Sequence, residues 1–350
     1  MRSRWLRLQL AGVAALLLGA SGSLVGWSPS GASTSSLGSS VTIYEATGAE
    51  PWFNAEFAQF ESKYHVHVNI VDTGSGALTS RALLEKAHPQ ADVLVALPPF
   101  IEEAAEKGIL APTHFADERT AQPTTGHGYW YALINNYENF IYNPTLVKPA
   151  PTTWKDLLTK RFAGKISYSN PTTAGDGFAV LWVLQQEYGL SDALKYLKQL
   201  EANVSAHPPG TGAQDALVSK GEDLVANGDV QMDLSDAHHG DNIKVWFPED
   251  TKGQKETFSD PYAAGLVKNA PNAAAGKALL NFLFSTSAQD QIPSLCFGLP
   301  GRVNVHPKSA VYTEWKNLLK GVKIFPVTWK QVVKEQASLL KDWSTQVEGA

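Results

Sequence analysis

From residue 41 onward the chain alternates short, β-prone apolar runs with segments whose apolar residues recur every three or four positions. Residues 41–44 read as a strand, and in 51–64 the residues Trp52, Phe53, Phe57 and Phe60 fall at helical spacing. Residues 65–71 alternate as a second strand, 77–87 are helical, and 91–97 form a buried strand closed by Pro98-Pro99. Strand and helix in strict succession predict parallel strands with helices on their faces, and such sheets bind ligands at the C-terminal ends of their strands. Those ends are the loops 45–48 and 73–76 and Pro98-Pro99, which makes Glu45, Thr47, Ser75 and Gly76 candidate site residues.

Residues 128–143 are one long β-prone run with an unusually polar middle, Asn135, Asn136, Glu138 and Asn139. A strand that leaves one domain and enters another has this character, so Asn136 joins the candidates, and the run 257–267, with Pro261-Tyr262 inside it, is the natural return. Between these crossings the pattern predicts helices over 153–160, capped by Thr152 or Thr153, over 178–188, 191–203 and 214–220, and strands over 165–168 and 243–247. The chain beyond 273 is mainly helical.

The stretch 169–177, Ser-Asn-Pro-Thr-Thr-Ala-Gly-Asp-Gly, joins a strand to an apolar-periodic helix. The first N–H groups of a helix have no intrahelical partner, and with the positive end of the dipole they favour a phosphate, phosphonate or carboxylate. Thr172, Thr173, Ala174 and Gly175 are the candidate donors. An ordinary helix start, with a threonine as cap and Asp176 in the first turn, fits the same residues.

With 350 residues, 43% of them hydrophobic, the chain suits two domains with real cores. Its formal charge is −5, and removing Arg2, Arg4 and Arg7 with a leader takes it to −8, which argues against nucleic acid as a partner. The order basic, apolar, small-residue over 1–26 is that of a secretory signal peptide, and 27–40 is a Ser/Gly-rich spacer. Cleavage is expected near 20–26, giving a periplasmic protein. Cys296 is the sole cysteine, so neither a disulfide nor a lipid-carrying N-terminal cysteine is expected.

Enzyme signatures are weak. Asp-Thr-Gly-Ser at 72–75 matches the aspartic-protease string, but a second such aspartate and an all-β pattern are missing. No Gly-x-Ser-x-Gly, His-Glu-x-x-His or Walker loop occurs. His65 and His67 would share a strand face without a further ligand nearby, so neither a metal site nor a cofactor is expected.

Four strings carry a resemblance: Asn-Asn-Tyr-Glu-Asn-Phe-Ile-Tyr-Asn-Pro at 135–144, Asn-Pro-Thr-Thr-Ala-Gly-Asp-Gly at 170–177, Val-Ala-Asn-Gly-Asp-Val-Gln-Met at 225–232 and Gly-Leu-Pro-Gly-Arg at 298–302. Over residues 41–305 the chain resembles the periplasmic 2-aminoethylphosphonate-binding proteins of ABC importers, within the ferric-iron, thiamine and phosphosugar branch of two-lobed solute-binding proteins. The resemblance implies a type II periplasmic binding fold, in which two α/β lobes, each a mainly parallel sheet flanked by helices, close on a ligand. Residues 41–140 and 258–350 would form lobe one and 141–257 lobe two. It implies a monomer that carries a small anionic or zwitterionic ligand to the importer's membrane subunits. Iron-binding relatives use an adjacent tyrosine pair, whereas Tyr262 stands alone after Pro261. Ferric iron, thiamine or a phosphosugar are the alternatives within the fold, and a secreted hydrolase the alternative outside it.

An aminophosphonate needs donors at one end and a carboxylate at the other. Glu45, Glu138, Asp176, Asp229 and Asp233 are candidates for the ammonium, with Asp229 equally at home as a turn residue, and Tyr44, Tyr137 and Tyr262 for packing on the carbon linker.

Overall fold

The computed structural model describes residues 37–114 and 126–349. The leader at 1–26 and all but the last four residues of the spacer at 27–40 lie outside them. In chain order the strands are β1 Ser40–Ala46, β2 His67–Thr73, β3 Val93–Ala96, β4 Tyr131–Asn135, β5 Glu138–Tyr142, β6 Ile166–Ser167, β7 Val204–Ala206, β8 Val225–Asp229, β9 Lys244–Trp246, β10 Glu256–Thr257, β11 Tyr262–Leu266, β12 Leu299–Pro300 and β13 Lys323–Ile324. The helices are α1 Glu50–Tyr64, α2 Ser75–Leu84, α3 Phe100–Glu106, α4 Gly175–Tyr188, α5 Leu190–Leu200, α6 Gln214–Lys220, α7 Val230–His239, α8 Ala273–Leu283, α9 Thr286–Cys296, α10 Ala310–Leu318 and α11 Trp329–Trp343.

The strands form two large sheets. One has the order β12-β4-β11-β3-β1-β2 and the other β7-β6-β8-β5-β9, with β10 and β13 as a separate pair. β1 is parallel to β2 and β3, and β6 is parallel to β7 and β8, as strands joined through helices must be. β11 runs antiparallel to β3 and β4, and β5 antiparallel to β8 and β9. Both sheets are therefore mixed rather than mainly parallel, because β5 and β11 enter from the other sheet and arrive running the opposite way.

The long run at 128–143 is thus two strands, one in each sheet, broken at Asn136-Tyr137. The return run passes beside it: Tyr137 bridges Ser259 before β11 rejoins the first sheet. Helix α1 turns Trp52, Phe53, Phe57 and Phe60 inward, and the Trp52 indole donates to the Ala288 carbonyl at 2.9 Å. It ends at His65 in the left-handed conformation, so His65 caps a helix while His67 opens β2 and pairs with Glu61 at 2.7 Å. The expected histidine pair on one strand face does not form.

The third corrected expectation is the region 153–160, which is a tight 3-10 turn over Trp154–Leu158 with a capping box between Thr153 and Asp156. At the other end of the chain, α11 lies against both α3 and α4. Trp182 of α4 stacks on Phe325 and Trp329, and Phe258 closes the cluster edge-on at 5.2 Å from Trp182. The Trp343 indole donates to the Tyr168 hydroxyl at 3.0 Å. Residues after 323 thereby strap elements that follow β6 to elements that follow β3.

Truncating a buried aromatic leaves a cavity that a rigid cluster fills poorly. The Trp329→Ala substitution is expected to lower the free energy of unfolding by about 3–5 kcal/mol. A urea transition followed by tryptophan fluorescence measures it, and a change below about 1 kcal/mol would mean that the strap contributes little.

Candidate functional site

A cleft of about 830 Å³ opens where the C-terminal ends of strands from both sheets converge. Its walls come from the loop after β1, the N-termini of α2, α4 and α7, the loop 209–212 after β7, and the start of β11. Two of the helix ends offer open donors. Gly74 and Ala174 cap α2 and α4 with extended backbone and no side-chain hydrogen bond. The N–H groups of Ser75, Gly76, Gly175 and Asp176 have no acceptor among the described residues. The Phe100 ring sits against both ends: a Cβ built on Gly76 would lie 3.2 Å from its Cε1, and one on Gly175 3.8 Å from its Cε2. The Ser75 hydroxyl accepts from Leu97 N–H at 3.1 Å, which leaves its own proton to donate.

The α7 end differs, since all its donors are spent. Val230 N–H meets the Tyr137 carbonyl at 3.0 Å, Gln231 N–H the Asn136 Oδ1 at 3.0 Å, and Met232 N–H the Asp229 Oδ1 at 2.8 Å. What α7 contributes is Gln231, which is 1% exposed. Its Nε2 donates to the Gly48 carbonyl at 2.8 Å and the Cys296 carbonyl at 2.6 Å, and its Oε1 accepts from the Tyr262 hydroxyl at 3.2 Å. One side chain from the second sheet's helix thus holds the loop after β1 and the end of α9.

Against this geometry, the family model of the bacterial extracellular solute-binding proteins matches residues 88–330. A Salmonella typhimurium protein provisionally named as a 2-aminoethylphosphonate-binding periplasmic protein is 37% identical over 313 residues, 88% of this chain and 92% of the relative. The chain belongs to the bacterial extracellular solute-binding proteins. Two solved structures have the same two-lobed type II periplasmic fold. One, from Actinobacillus pleuropneumoniae with fructose-6-phosphate bound, has a TM-score of 0.78 at 19% identity, covering 89% of this chain and 99% of that one. The apo ferric ion-binding protein A of Pasteurella haemolytica has a TM-score of 0.73 at 18% identity, covering 88% and 98%. No helix among the described residues is long and apolar enough to cross a membrane.

This solute-binding protein brings most of the expected residues to its cleft: Thr47, Ser75, Gly76, Thr173, Ala174, Gly175, Asp176, Asp229 and Tyr262 all line it. Three others lie elsewhere. Thr172 is exposed, and its hydroxyl donates to Asn170 Oδ1 at 2.6 Å. Asn136 is wholly buried behind the cleft, where its Oδ1 holds Tyr137 N–H and Gln231 N–H. Glu45 is sealed at the end of β1. Nor is the Thr173 hydroxyl an open donor, because it meets the Pro209 carbonyl at 3.0 Å. The pair of threonines therefore builds the turn, and the backbone of α4 supplies the donors. Gly177 is needed for that turn, since a Cβ there would lie 2.1 Å from the Ser169 carbonyl oxygen. Asp229 is both the last residue of β8 and the cap of α7 rather than a turn residue, and it lines the cleft.

Gln231, Phe100 and the loop Pro209-Gly210-Thr211-Gly212 escaped the reading of periodicity. A glycine-rich loop after a strand was the available signal, but β7 has only three residues. Gln231 lay inside a string already quoted, with no periodicity to show that a helix begins at Val230.

The cleft is acidic: Glu50, Asp176, Asp229 and Asp236 line it, and among the described residues no lysine or arginine does. Burial, with Asp176 nearby, lifts the Asp229 carboxyl to about 7. Burial also pushes Glu45 up to about 8, assisted by the charges of Asp72 and Glu50. Burial raises the Tyr262 phenol, and it pushes the Cys296 thiol up to about 12, so this thiol stays protonated.

A carboxyl whose folded value is raised favours the folded state fully only below its unfolded value, and that contribution is lost as pH rises through the folded value. For Glu45 the loss runs from about 4 to about 8. The Glu45→Gln protein is expected to melt close to the parent at acid pH, to gain a growing advantage toward pH 8, and to level off above it. Scanning calorimetry across that range checks the sign, and parallel profiles for the two proteins would contradict it.

Proposed function

We propose that the protein is the periplasmic solute-binding component of an ABC importer and captures a small aminophosphonate, 2-aminoethylphosphonate foremost, by closing two lobes around it. It returns the ligand unchanged to membrane subunits and acts as a monomer. The division into two lobes belongs to this proposal, with the expected boundary at 140 shifted to Asn136-Tyr137, since β5 from Glu138 lies in the second sheet, and with the return beside Ser259.

One observation carries the reading: uncapped helix N-termini and carboxylates share a cleft to which no lysine or arginine among the described residues contributes. The N–H groups of Ser75, Gly76, Gly175 and Asp176 suit a phosphonate. The acidic remainder suits a cation in the same ligand, and a ligand that is purely anionic leaves that charge unmatched. The relative's name points the same way.

Isothermal titration and thermal-shift measurements with 2-aminoethylphosphonate, inorganic phosphate, thiamine, fructose 6-phosphate and ferric citrate test this. Only a ligand of the folded state raises its melting temperature. 2-Aminoethylphosphonate is expected to give the largest rise and to be recovered intact after denaturation. Ser75→Ala removes a hydroxyl donor to a charged group, worth about 1.5–3 kcal/mol, so affinity should fall roughly tenfold or more while the fold persists. A larger rise with thiamine, the phosphosugar or ferric citrate would reassign the ligand, and release of phosphate or ammonia would make the protein a hydrolase.

A further inference from the structure

We propose that Glu138, Asp176 and Asp260 form a seat for one cation at the junction of the two sheets, and that its occupant is the ammonium group of the ligand. The inference rests on the aminophosphonate reading and adds which carboxylates meet the amine. One carboxylate oxygen from each residue lies within 4.8 Å of the others. The three are 7%, 8% and 2% exposed, in the order Glu138, Asp176, Asp260. Glu138 Oε1 and Asp260 Oδ1 are sealed from solvent and have no hydrogen-bond partner among the described residues.

Their positions concentrate buried carboxyl groups at one point of the junction. Glu138 opens β5 immediately after the first crossing, and Asp260 sits on the return, its N–H donating to the Asn136 carbonyl at 3.0 Å. Across the sheet Glu138 stands directly opposite Asp229, a like-charged pair where pairing rules favour opposite charges. Burial and these mutual repulsions hold the carboxyls of Glu138 and Asp260 well above the usual range.

The size of the seat fits a primary ammonium. Three oxygens no more than 4.8 Å apart leave some point within about 2.8 Å of all of them, which is within reach of charge-assisted N–H···O bonds. An ammonium has three N–H donors for three carboxylates. Asp176 connects the seat to the cleft, since its N–H is among the open donors of α4 and its carboxylate belongs to the trio. Its other role is fixed by the Thr211 hydroxyl, which donates to Asp176 Oδ2. Of the three carboxylates only Asp176 lines the cleft, so the ammonium of a ligand whose phosphonate meets the α4 N–H groups enters the trio past Asp176.

The test compares affinities of the full-length protein for 2-aminoethylphosphonate and for ethylphosphonate, which lacks the amine. The parent is expected to prefer the amine by about tenfold or more, and Glu138→Gln and Asp260→Asn each to cut that preference by about tenfold. A preference that survives both substitutions overturns the seat. If the parent binds neither phosphonate, the phosphonate reading has failed, and ethanolamine decides the seat separately: it must raise the melting temperature of the parent, as ethylene glycol must not. Absence of that rise overturns the seat too. A rise with Ca²⁺ or Mg²⁺ that the variants lose, with none for ethanolamine, gives the trio to a metal ion and refutes the ammonium. Should a variant fail to fold by circular dichroism, the ethanolamine comparison on the parent decides alone.

Discussion

Where the chain passes from one sheet to the other, the N–H groups of Tyr137 and Gln231 are buried in the junction, and the Asn136 side chain is what meets them. This side chain is wholly buried between β4 and β5, and its Oδ1 accepts from Tyr137 N–H at 2.9 Å and Gln231 N–H at 3.0 Å. An unpaired buried donor costs about 1–3 kcal/mol, so the two bonds fix both the crossing and the start of α7. With α7 placed, Gln231 reaches Gly48 and Cys296, and Tyr262 closes on Gln231. The rear wall of the cleft is a consequence of one amide at the junction.

The same economy governs charge. Burying carboxylates is expensive, and the junction buries several, among them Glu138, Asp229, Asp233 and Asp260. Some of them are held by neutral donors: Met232 N–H serves Asp229, and the Asn139 amide serves Asp233. Elsewhere the protein answers with raised proton affinity rather than with lysine or arginine. A cleft built this way is not made for maximal stability, and sites that depart from the most stable arrangement are where function is expected.

Much of this was legible in the sequence, and the failures have physical causes. The apolar face of α1 and the buried run of β3 came through because each obeys a single period over its whole length. The crossing was visible as polar residues where a buried strand should be apolar, yet its division into β4 and β5 was hidden, since both halves are buried on both faces and neither carries an alternation whose lapse would mark the break. Helix α7 lacks a clear apolar stripe, with Asp233, Ser235, Asp236, His238 and His239 in ten residues, so its start at Val230 left no trace. The roles of Thr172 and Thr173 turned on partners at Asn170 and Pro209 that only the folded turn supplies. The strap over α4 likewise depends on which aromatic faces meet, and periodicity says that a face is apolar without saying what covers it.

An acidic cleft with neutral anion donors is a discriminating device rather than a weak version of a basic one. Helix N-termini attract any phosphate-like group, and with lysine or arginine in the lining the abundant inorganic anion would bind as well as a rarer ligand. A carboxylate about 6 Å from the anion's place repels it by roughly 3 kcal/mol at an effective dielectric constant near 20. That is about a hundredfold in affinity, and it turns into an attraction of similar size when the same ligand brings a positive charge to the carboxylate. Selection against the wrong partner then comes from charge left unmatched, which is the cheaper route when two ligands share the group that is gripped. On the proposed reading Asp176 stands at that boundary, with an open N–H at the start of α4 and a carboxylate in the acidic trio.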